Sequence, residues 1–399
     1  MKKNWIVLIT GLIGIGLSPV RGQVEKVWSL EECIRYAHEN NLQVKQFEIS
    51  SQVSLQDFTY SKTALLPSLN ARMEHNLSSG RSLDMERYEW VNRDLSQGDL
   101  GLQSNMTVFS GLQGYHTVQM QKYNLLRSQA ELERMKNDIT LLVTTGYLQL
   151  LLNIELLDIA EEKLEVTKKQ VERMERLVDV GNEAKGALLE VQAQLSNQKY
   201  HVTMARNQVN ISILDLVQML DLESTEGFDI VVPDLSAFSI LTALDPVDTI
   251  FNHAMDLMPE IEAAIMGVRS SEKYLAVEKG KRIPEVYLRG LYYSRYIDNI
   301  QNPIDPGADY TWPRQVVDNQ YKQVSVGVNI PIFNRWSTET SIKKAKLNLQ
   351  EAEIELKRTR NDLLKKIQQY YTDAENAREK YSSAEEALEN NREAFNYTE

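Results

Sequence analysis

The residues of this chain that could do chemistry are few, and the first candidates are two glycines. Gly181 and Gly186 have the glycine spacing of a phosphate-binding loop. Such a loop needs lysine and then serine or threonine after the second glycine, but Ala187 and Leu188 stand there. The segment before the glycines also has a helical rather than a strand pattern. Phosphate binding is therefore not predicted, which leaves a linker or the bend of a helical hairpin.

The other reactive side chains do not form a recognisable site. The five histidines have no metal-ligand spacing, and Cys33 lies in no local metal-binding or catalytic motif and is expected to be a buried, inert thiol. The acid pair Glu161-Glu162 lies on a charged helical face, where solvation is expected. We predict no catalytic residue, no cofactor and no metal site, and hence a protein that is not an enzyme. The five histidines are residues 38, 75, 116, 201 and 253.

Composition and the first residues place the chain outside the cytoplasm. It has 399 residues, one cysteine and a formal net charge of −12, which argues against nucleic acid as a partner. Lys2 and Lys3 precede the apolar run Ile6–Leu17, and Val20-Arg21-Gly22 has the small-x-small pattern of a cleavage site. This layout predicts a secretory signal peptide over residues 1–22.

The rest of the chain is predicted to consist of two tandem repeats. Ala37 and Pro67 match Ala254 and Pro284 at a spacing of 217 residues. Further on, the spacing becomes 224, and the seven extra residues fall between two alternating stretches, where a loop insertion is expected. The pairs at the longer spacing are Phe109 with Phe333, Asn137-Asp138 with Asn361-Asp362, and Tyr147 with Tyr371.

Helix-start signals mark the beginning of each repeat. Ser29 with Glu32 forms a capping-box pattern, and Asp245 precedes Pro246 as a capping acid before a proline at the first helical position. Repeat 1 is predicted over residues 23–243, with short helices 29–64, strands 66–79 and 99–109, a long helix 115–180, a tip turn 180–187 and a return helix 187–221. Repeat 2 is predicted over 244–399, with helices 246–281, strands 284–296 and 322–333, and a long helix 338–399.

The predicted strands alternate between an apolar and a polar face. The clearest runs from Val324 to Ile332, with serine, glycine, asparagine and proline between the aliphatic residues. Such strands fit a sheet packed on helices in a soluble domain or strands that cross a bilayer. A length of nine to eleven residues and aromatic segments between the strands, around Trp90 and Trp312, favour the bilayer. Because four strands cannot close a barrel, this interpretation predicts an oligomer.

The long helices need partners along their length. A proline-free pattern from 115 to 180 spaces apolar residues by three and four and predicts a helix about 100 Å long. Its segment 139–160 is apolar enough to suggest a transmembrane helix, but Gln149 and Asn153 interrupt it. We expect this segment to be buried in a helical assembly instead.

In this order, the elements resemble the TolC-like outer-membrane efflux family. The resemblance rests on SLEECIRYAHENN at 29–41, the transitions at Pro67 and Pro284, TVFSG and PIFNR after two strands, and VGNEAKGALLEVQAQL from Val180. It implies an α+β membrane protein that forms homotrimers. Each chain would give four strands to a twelve-stranded transmembrane barrel, and its helices would form a periplasmic α-barrel.

The resemblance also implies partners and residue roles. The protein would be a passive exit duct for efflux or type I secretion, in contact with outer-membrane lipid, a periplasmic adaptor and an inner-membrane pump. The alternation combined with this geometry predicts two sets of residues. Pore-facing residues would be Asn70, Arg72, Glu74, Gln103, Asn105, Glu285, Arg289 and Asn329; lipid-facing residues would be Leu69, Leu102, Val326 and Val328.

The glycine-containing segment then becomes the tip of a helical hairpin. The resemblance implies that the adaptor contacts it, whereas without a partner it would be a plain bend. The second repeat stops before its own tip turn, so we expect a C-terminal truncation at Glu399 and gate residues beyond it. A soluble periplasmic coiled-coil scaffold remains the alternative function. The predicted tip residues are Val180, Gly181, Asn182, Glu183, Ala184, Gly186, Ala187, Leu188 and Leu189.

Overall fold

The computed structural model describes residues 26–84, 88–233, 244–298, 302, 305 and 307–398. These residues divide into two compact units. The first contains residues up to 42 together with 138–237, and the second contains 43–137 together with the residues from 238 onward. The predicted signal peptide, 1–22, lies outside the described residues.

The first unit begins with a capped helix. Strand β1 (Lys26–Trp28) precedes α1 (Leu30–Asn40). The Ser29 hydroxyl accepts from the Glu32 backbone N–H, and the Glu32 carboxylate accepts from the Ser29 N–H, both at 3.2 Å. This reciprocal pair satisfies two of the unpaired donors at the helix start. The capping box predicted from the sequence is confirmed.

A two-stranded parallel sheet is held by a buried tyrosine in this unit. β1 pairs with β4 (Phe228–Ile230). Tyr147, in the long helix α3 (Gln113–Asp179), is 2% exposed and donates its hydroxyl to the Val231 carbonyl at 2.6 Å. Because the phenol is buried, with Cys33 and Glu31 nearby, its pKa is raised to about 12.

Two helices pair through their side chains and a tight turn in the first unit. The amide of Asn153 in α3 donates to Ser212 of α4 (Lys185–Met219) at 2.6 Å. At the end of α3, Gly181 has a φ of +77°. Its N–H donates to the Val178 carbonyl, and the next N–H donates to the Leu177 carbonyl. This is the Schellman motif, which glycine accommodates without strain.

The second unit carries a four-stranded antiparallel sheet in the order β2-β3-β5-β6. Helix α2 (Leu42–Thr63) leads into it, and α5 (Val247–Leu257) and α6 (Pro259–Gly280) lead into its second half. α7 (Trp312–Asp318) lies between the last two strands, and α8 (Ser337–Thr398) follows them. The strands are β2 (Ser68–Asp84), β3 (Glu89–Phe109), β5 (Glu285–Ile297) and β6 (Tyr321–Asn329).

The helices of the second unit pack through small apolar clusters. Ala254 and Ile261 meet Leu363 of α8, and farther along α6, Leu275 meets Ile342 and Ala345. Ile261 and Ala345 are at most 1% exposed. Removal of such side chains from water supplies the main stabilisation between α6 and α8.

The turn from β3 into α3 requires a glycine. Gly111 has a φ of +61°, and a Cβ at this position would lie 2.6 Å from the Gly280 carbonyl oxygen and 2.8 Å from the Ile283 Cβ. The turn therefore packs directly on the end of α6. The equivalent turn before α8 has two non-glycine residues at positive φ, Arg335 at 57° and Trp336 at 62°.

Several predicted boundaries were wrong. β2 runs to Asp84 and β3 begins at Glu89, so the segment around Trp90 belongs to a strand and is not a long loop. Most residues of this segment are polar on both faces of the strands, so the sequence shows no clear alternation there. Pairing along the hairpin nevertheless satisfies their backbone groups. β6 ends at Asn329 rather than at 333, because Pro331 has no N–H for a ladder.

The helix starts also need correction. α5 begins at Val247 with Pro246 at its N-cap, and no side chain caps it, so Asp245 does not have the predicted role. The helices predicted over 246–281 are α5 and the longer α6, which meet at Met258. The tip turn ends at Ala184, and thus the tip residues from Gly186 to Leu189 lie in the first turns of α4.

We predict that Gly111→Ala destabilises the protein. The substitution places a Cβ against backbone in a left-handed conformation, with a cost of about 1–3 kcal/mol. A lower melting temperature in detergent, followed by circular dichroism, would show this. Gly186→Ala is the matched control, because nothing lies within 4 Å of its new Cβ. Equal melting temperatures for the two variants would contradict the packing described for this turn.

Tyr147→Phe is predicted to remove a pH dependence of stability. The pKa of Tyr147 is raised from 10.0 to about 12, so its contribution is full below about pH 10 and is lost as the pH rises through 12. The free energy of unfolding of the natural protein should fall by roughly 2–3 kcal/mol relative to the variant across this range. Parallel stability curves from pH 8 to 12 would contradict the assignment.

Candidate functional site: a two-faced sheet and a helical tip

One face of the four-stranded sheet is apolar and exposed. Strand register places Leu69, Leu102, Val326 and Val328, the residues predicted to face lipid, on this same face. Val326 is 70% exposed, and Leu69 is 72% exposed. Large aliphatic side chains arranged in this way mark a surface that another apolar phase or molecule covers.

The opposite face is polar and internally bonded. Arg289 donates from Nε to Asn105 Oδ1 at 3.1 Å, and Gln103 donates to the same oxygen at 3.2 Å. Arg72 is paired with Glu74. All the predicted pore-facing residues lie on this face, namely Asn70, Arg72, Glu74, Gln103, Asn105, Glu285, Arg289 and Asn329.

A charged cluster on the polar face was absent from the predicted site. Arg295 donates from Nε to Asp99 at 2.8 Å, and the Tyr293 hydroxyl bonds to the same carboxylate. Asp99 lies at an even spacing from Gln103, and Tyr293 and Arg295 at even spacings from Arg289. The period-two rule that selected the other residues could therefore have found this cluster.

The two outer strands leave open edges. β2 and β6 each pair with one neighbour, and among the residues that the structure describes no strand pairs with their outer sides. Each outer side carries a row of backbone N–H and C=O groups that needs partners. The sheet is thus incomplete within one chain.

Helix α7 covers the end of the β5 edge, which extends beyond its pairing with β6. The side-chain amide of Gln315 accepts from the Ile297 N–H and donates to the Ile297 carbonyl, both at 2.9 Å. Asn319 donates to the Arg295 carbonyl at 2.8 Å. These amides replace the strand that would otherwise pair with the end of β5.

The helical tip is exposed and free of local crowding. Val180 is 70% exposed and Leu189 is 65% exposed, while Ala187 and Leu188 are half-buried. A Cβ at Gly181 or Gly186 would meet nothing within 4 Å. The tip therefore combines apolar side chains with a surface that another helix could approach closely.

Other kinds of site are not seen in the described part of the chain. Its histidine, cysteine, aspartate and glutamate residues do not gather into a group that could hold a metal ion. α3 is the one described helix that is long and apolar enough to cross a membrane, which by itself is weak evidence. Ile139, Val143, Tyr147 and Leu150 of this helix are buried within the first unit.

Comparison with known proteins gives consistent matches. A family model described as outer membrane efflux protein matches residues 33–221 and 251–399. The outer membrane efflux protein BepC of Brucella suis biovar 1 (strain 1330) is 20% identical over 374 residues, which cover 93% of this chain and 74% of BepC.

Solved structures share the fold. The outer membrane protein VceC of Vibrio cholerae has a TM-score of 0.71 at 14% identity, over 90% of this chain and 82% of that one. The CmeC outer membrane channel of Campylobacter jejuni has a TM-score of 0.66 at 15% identity, over 89% of this chain and 74% of that one. At these identities the similarity concerns the fold.

Proposed function

The chain belongs to the outer membrane efflux protein family, and from this premise we propose that three copies close one twelve-stranded barrel. As a member of that family it is an outer-membrane exit duct with a periplasmic portion. Membership of this family does not favour the alternative function, a soluble periplasmic coiled-coil scaffold. The number of copies follows from the family resemblance, and the need for more than one copy follows from the sheet.

The observation that carries the proposal is a sheet with an exposed apolar face and two open edges. In the hydrocarbon of a bilayer, each unpaired backbone group costs several kcal/mol, and only closed barrels avoid this cost. Four strands are too few to close. Pairing β6 of one copy with β2 of the next satisfies both edges at once.

The two faces then have distinct environments. Leu69, Leu102, Val326 and Val328 face lipid, and the polar face lines the pore. In the part of the sheet that contains β5, the polar face carries three basic and three acidic residues. The barrel itself would therefore select weakly by charge, and the choice of substrate would lie with the pump. These residues are Arg72, Arg289, Arg295, Glu74, Asp99 and Glu285.

The helical tip is proposed to bind the periplasmic adaptor, which links the duct to an inner-membrane pump. Its exposed apolar residues, Val180 and Leu189, suit a helical partner. Gly186 leaves room for a close approach of the partner backbone. Drugs, metals and proteins are all possible cargoes of such a duct.

The proposal predicts different surroundings for two positions of β6. A nitroxide label at Val326 should collide mainly with oxygen dissolved in lipid, and one at Asn329 mainly with a water-soluble nickel complex. Power saturation in reconstituted membranes would measure both. The adjacent pair Val324 and Gln323 provides a second comparison along the strand. Equal accessibility within both pairs would contradict the assignment of the faces.

A second prediction concerns the tip. Gly186→Trp should leave the trimer in the outer membrane but reduce export about tenfold or more, since a bulky side chain in a helix contact costs about 1–3 kcal/mol. Gly186→Ala is the size control. Export of a dye or toxic compound by cells that depend on this duct provides the measurement.

Gly181→Trp should reduce export at least as strongly, but its left-handed φ adds strain, so Gly181→Asn is its control. Normal export by both tryptophan variants, with normal amounts of membrane trimer, would show that the tip is a plain bend without a partner.

A further inference from the structure

The two hairpins of the sheet have equivalent registers. Ser68 pairs with Asn105 in the first hairpin, and Glu285 pairs with Asn329 in the second. Glu285 lies 217 residues after Ser68, and Asn329 lies 224 after Asn105. These are the two spacings that relate the sequence repeats, so β2 corresponds to β5 and β3 to β6, residue by residue.

The chain also contains one seam between its halves. β3 of the first half pairs with β5 of the second, with Asn105 opposite Arg289. On the polar face these two side chains are joined by the 3.1 Å hydrogen bond from Arg289 Nε. The same pairing can be used where the second half of one copy meets the first half of another copy.

We propose that the seam between adjacent copies has the same register, with Asn329 of one copy opposite Arg72 of the next. In a closed ring, β6 must meet β2 of the neighbour, and these strands correspond to β3 and β5. Asn329 corresponds to Asn105, and Arg72 corresponds to Arg289. Both residues of the hydrogen-bonded pair thus recur, and the partner of this surface is a second copy of the chain. The inference rests on the proposed barrel and specifies how it closes.

The faces of the sheet agree with this register. One residue and five residues from the polar pair, in the same direction along the seam, this register brings Val328 opposite Met73 and Val324 opposite Leu77 on the apolar face. All four are at least 58% exposed in the single chain. A slip of one residue would place these side chains opposite polar ones and turn one strand over.

Residues at the open edges are more exposed than the corresponding residues at the seam within the chain. Phe109 and Ile283, at the seam within the chain, are each 43% exposed. Their counterparts at the open edges, Phe333 and Leu66, are 75% and 64% exposed. A neighbouring copy in the proposed register would lie over both.

The two seams differ at the strand-to-helix turn. Gly111 meets Gly280 within the chain, whereas the corresponding residues between copies are Arg335 and Thr63. The turn cannot approach the neighbour as closely, because both positions carry side chains. The register is therefore set by the strands rather than by this turn.

Disulfide trapping in the intact protein tests the register. In a Cys33→Ala background, Arg72→Cys combined with Asn329→Cys should form disulfides between copies on mild oxidation. Directly opposed residues have Cα atoms about 4.5–5.5 Å apart, within disulfide range, whereas pairs displaced by two are about 7–8 Å apart. The expected product is a covalent trimer on denaturing gels that disappears on reduction.

Matched variants separate the possible outcomes. Asn105→Cys with Arg289→Cys is the positive control for the same geometry within one chain, and Leu77→Cys with Val324→Cys is a second pair across the seam. Asn329→Cys with Glu74→Cys, or with Asn70→Cys, represents a slip of two residues. More trimer from either displaced pair than from Arg72 with Asn329 would overturn the register while the barrel stands.

Failure of the barrel itself has a different signature. If no pair between copies reacts although the control within the chain does, and amine cross-linking in detergent shows only monomers, the proposed trimer is wrong as well. Preferential trapping of both in-register pairs would support the inference.

Discussion

The constraint on which this structure depends is that backbone N–H and C=O groups must find partners wherever water is absent. The described sheet satisfies its inner groups by pairing and part of one edge with the amides of Gln315 and Asn319. Among the described residues, the outer sides of β2 and β6 have no strand beside them, and the proposed barrel pairs them with other copies. The proposed oligomerisation follows from the sheet being too small to close on itself, and the apolar face makes a bilayer the environment in which closure matters most.

The similarity of the two halves offers one simple way to satisfy this constraint. A helix-helix-strand-strand-helix order occurs in both halves, apart from α7 between the strands of the second half, and the two hairpins have equivalent registers. The contact between halves is seen once within the chain, where Gly111 packs on the end of α6. Its counterpart at Arg335 and Thr63 differs in size, so the proposed seam between copies would share the strand pairing but not the packing of the turn.

The helical parts depend on more local interactions. Tyr147 fixes a parallel strand pair through one hydroxyl, and the Ser29–Glu32 box fixes the start of α1. The Schellman turn at Gly181 ends α3 without occupying the space around the tip. Since these devices satisfy the chain's own polar groups, the tip surface stays available, and its exposed Val180 and Leu189 remain the residues best placed for a partner.

The sequence by itself determined the strand faces and the capping box, because each follows from local periodicity or from a local side-chain pattern. It did not determine the length of the β2–β3 hairpin or the amide cap of Gln315, since these depend on backbone partners distant in the chain. The Asp99–Tyr293–Arg295 cluster is intermediate: alternation chose its face, but only pairing of β3 with β5 brought the three side chains together. Tertiary structure also decided that Gly111 must be glycine, through the close approach of α6.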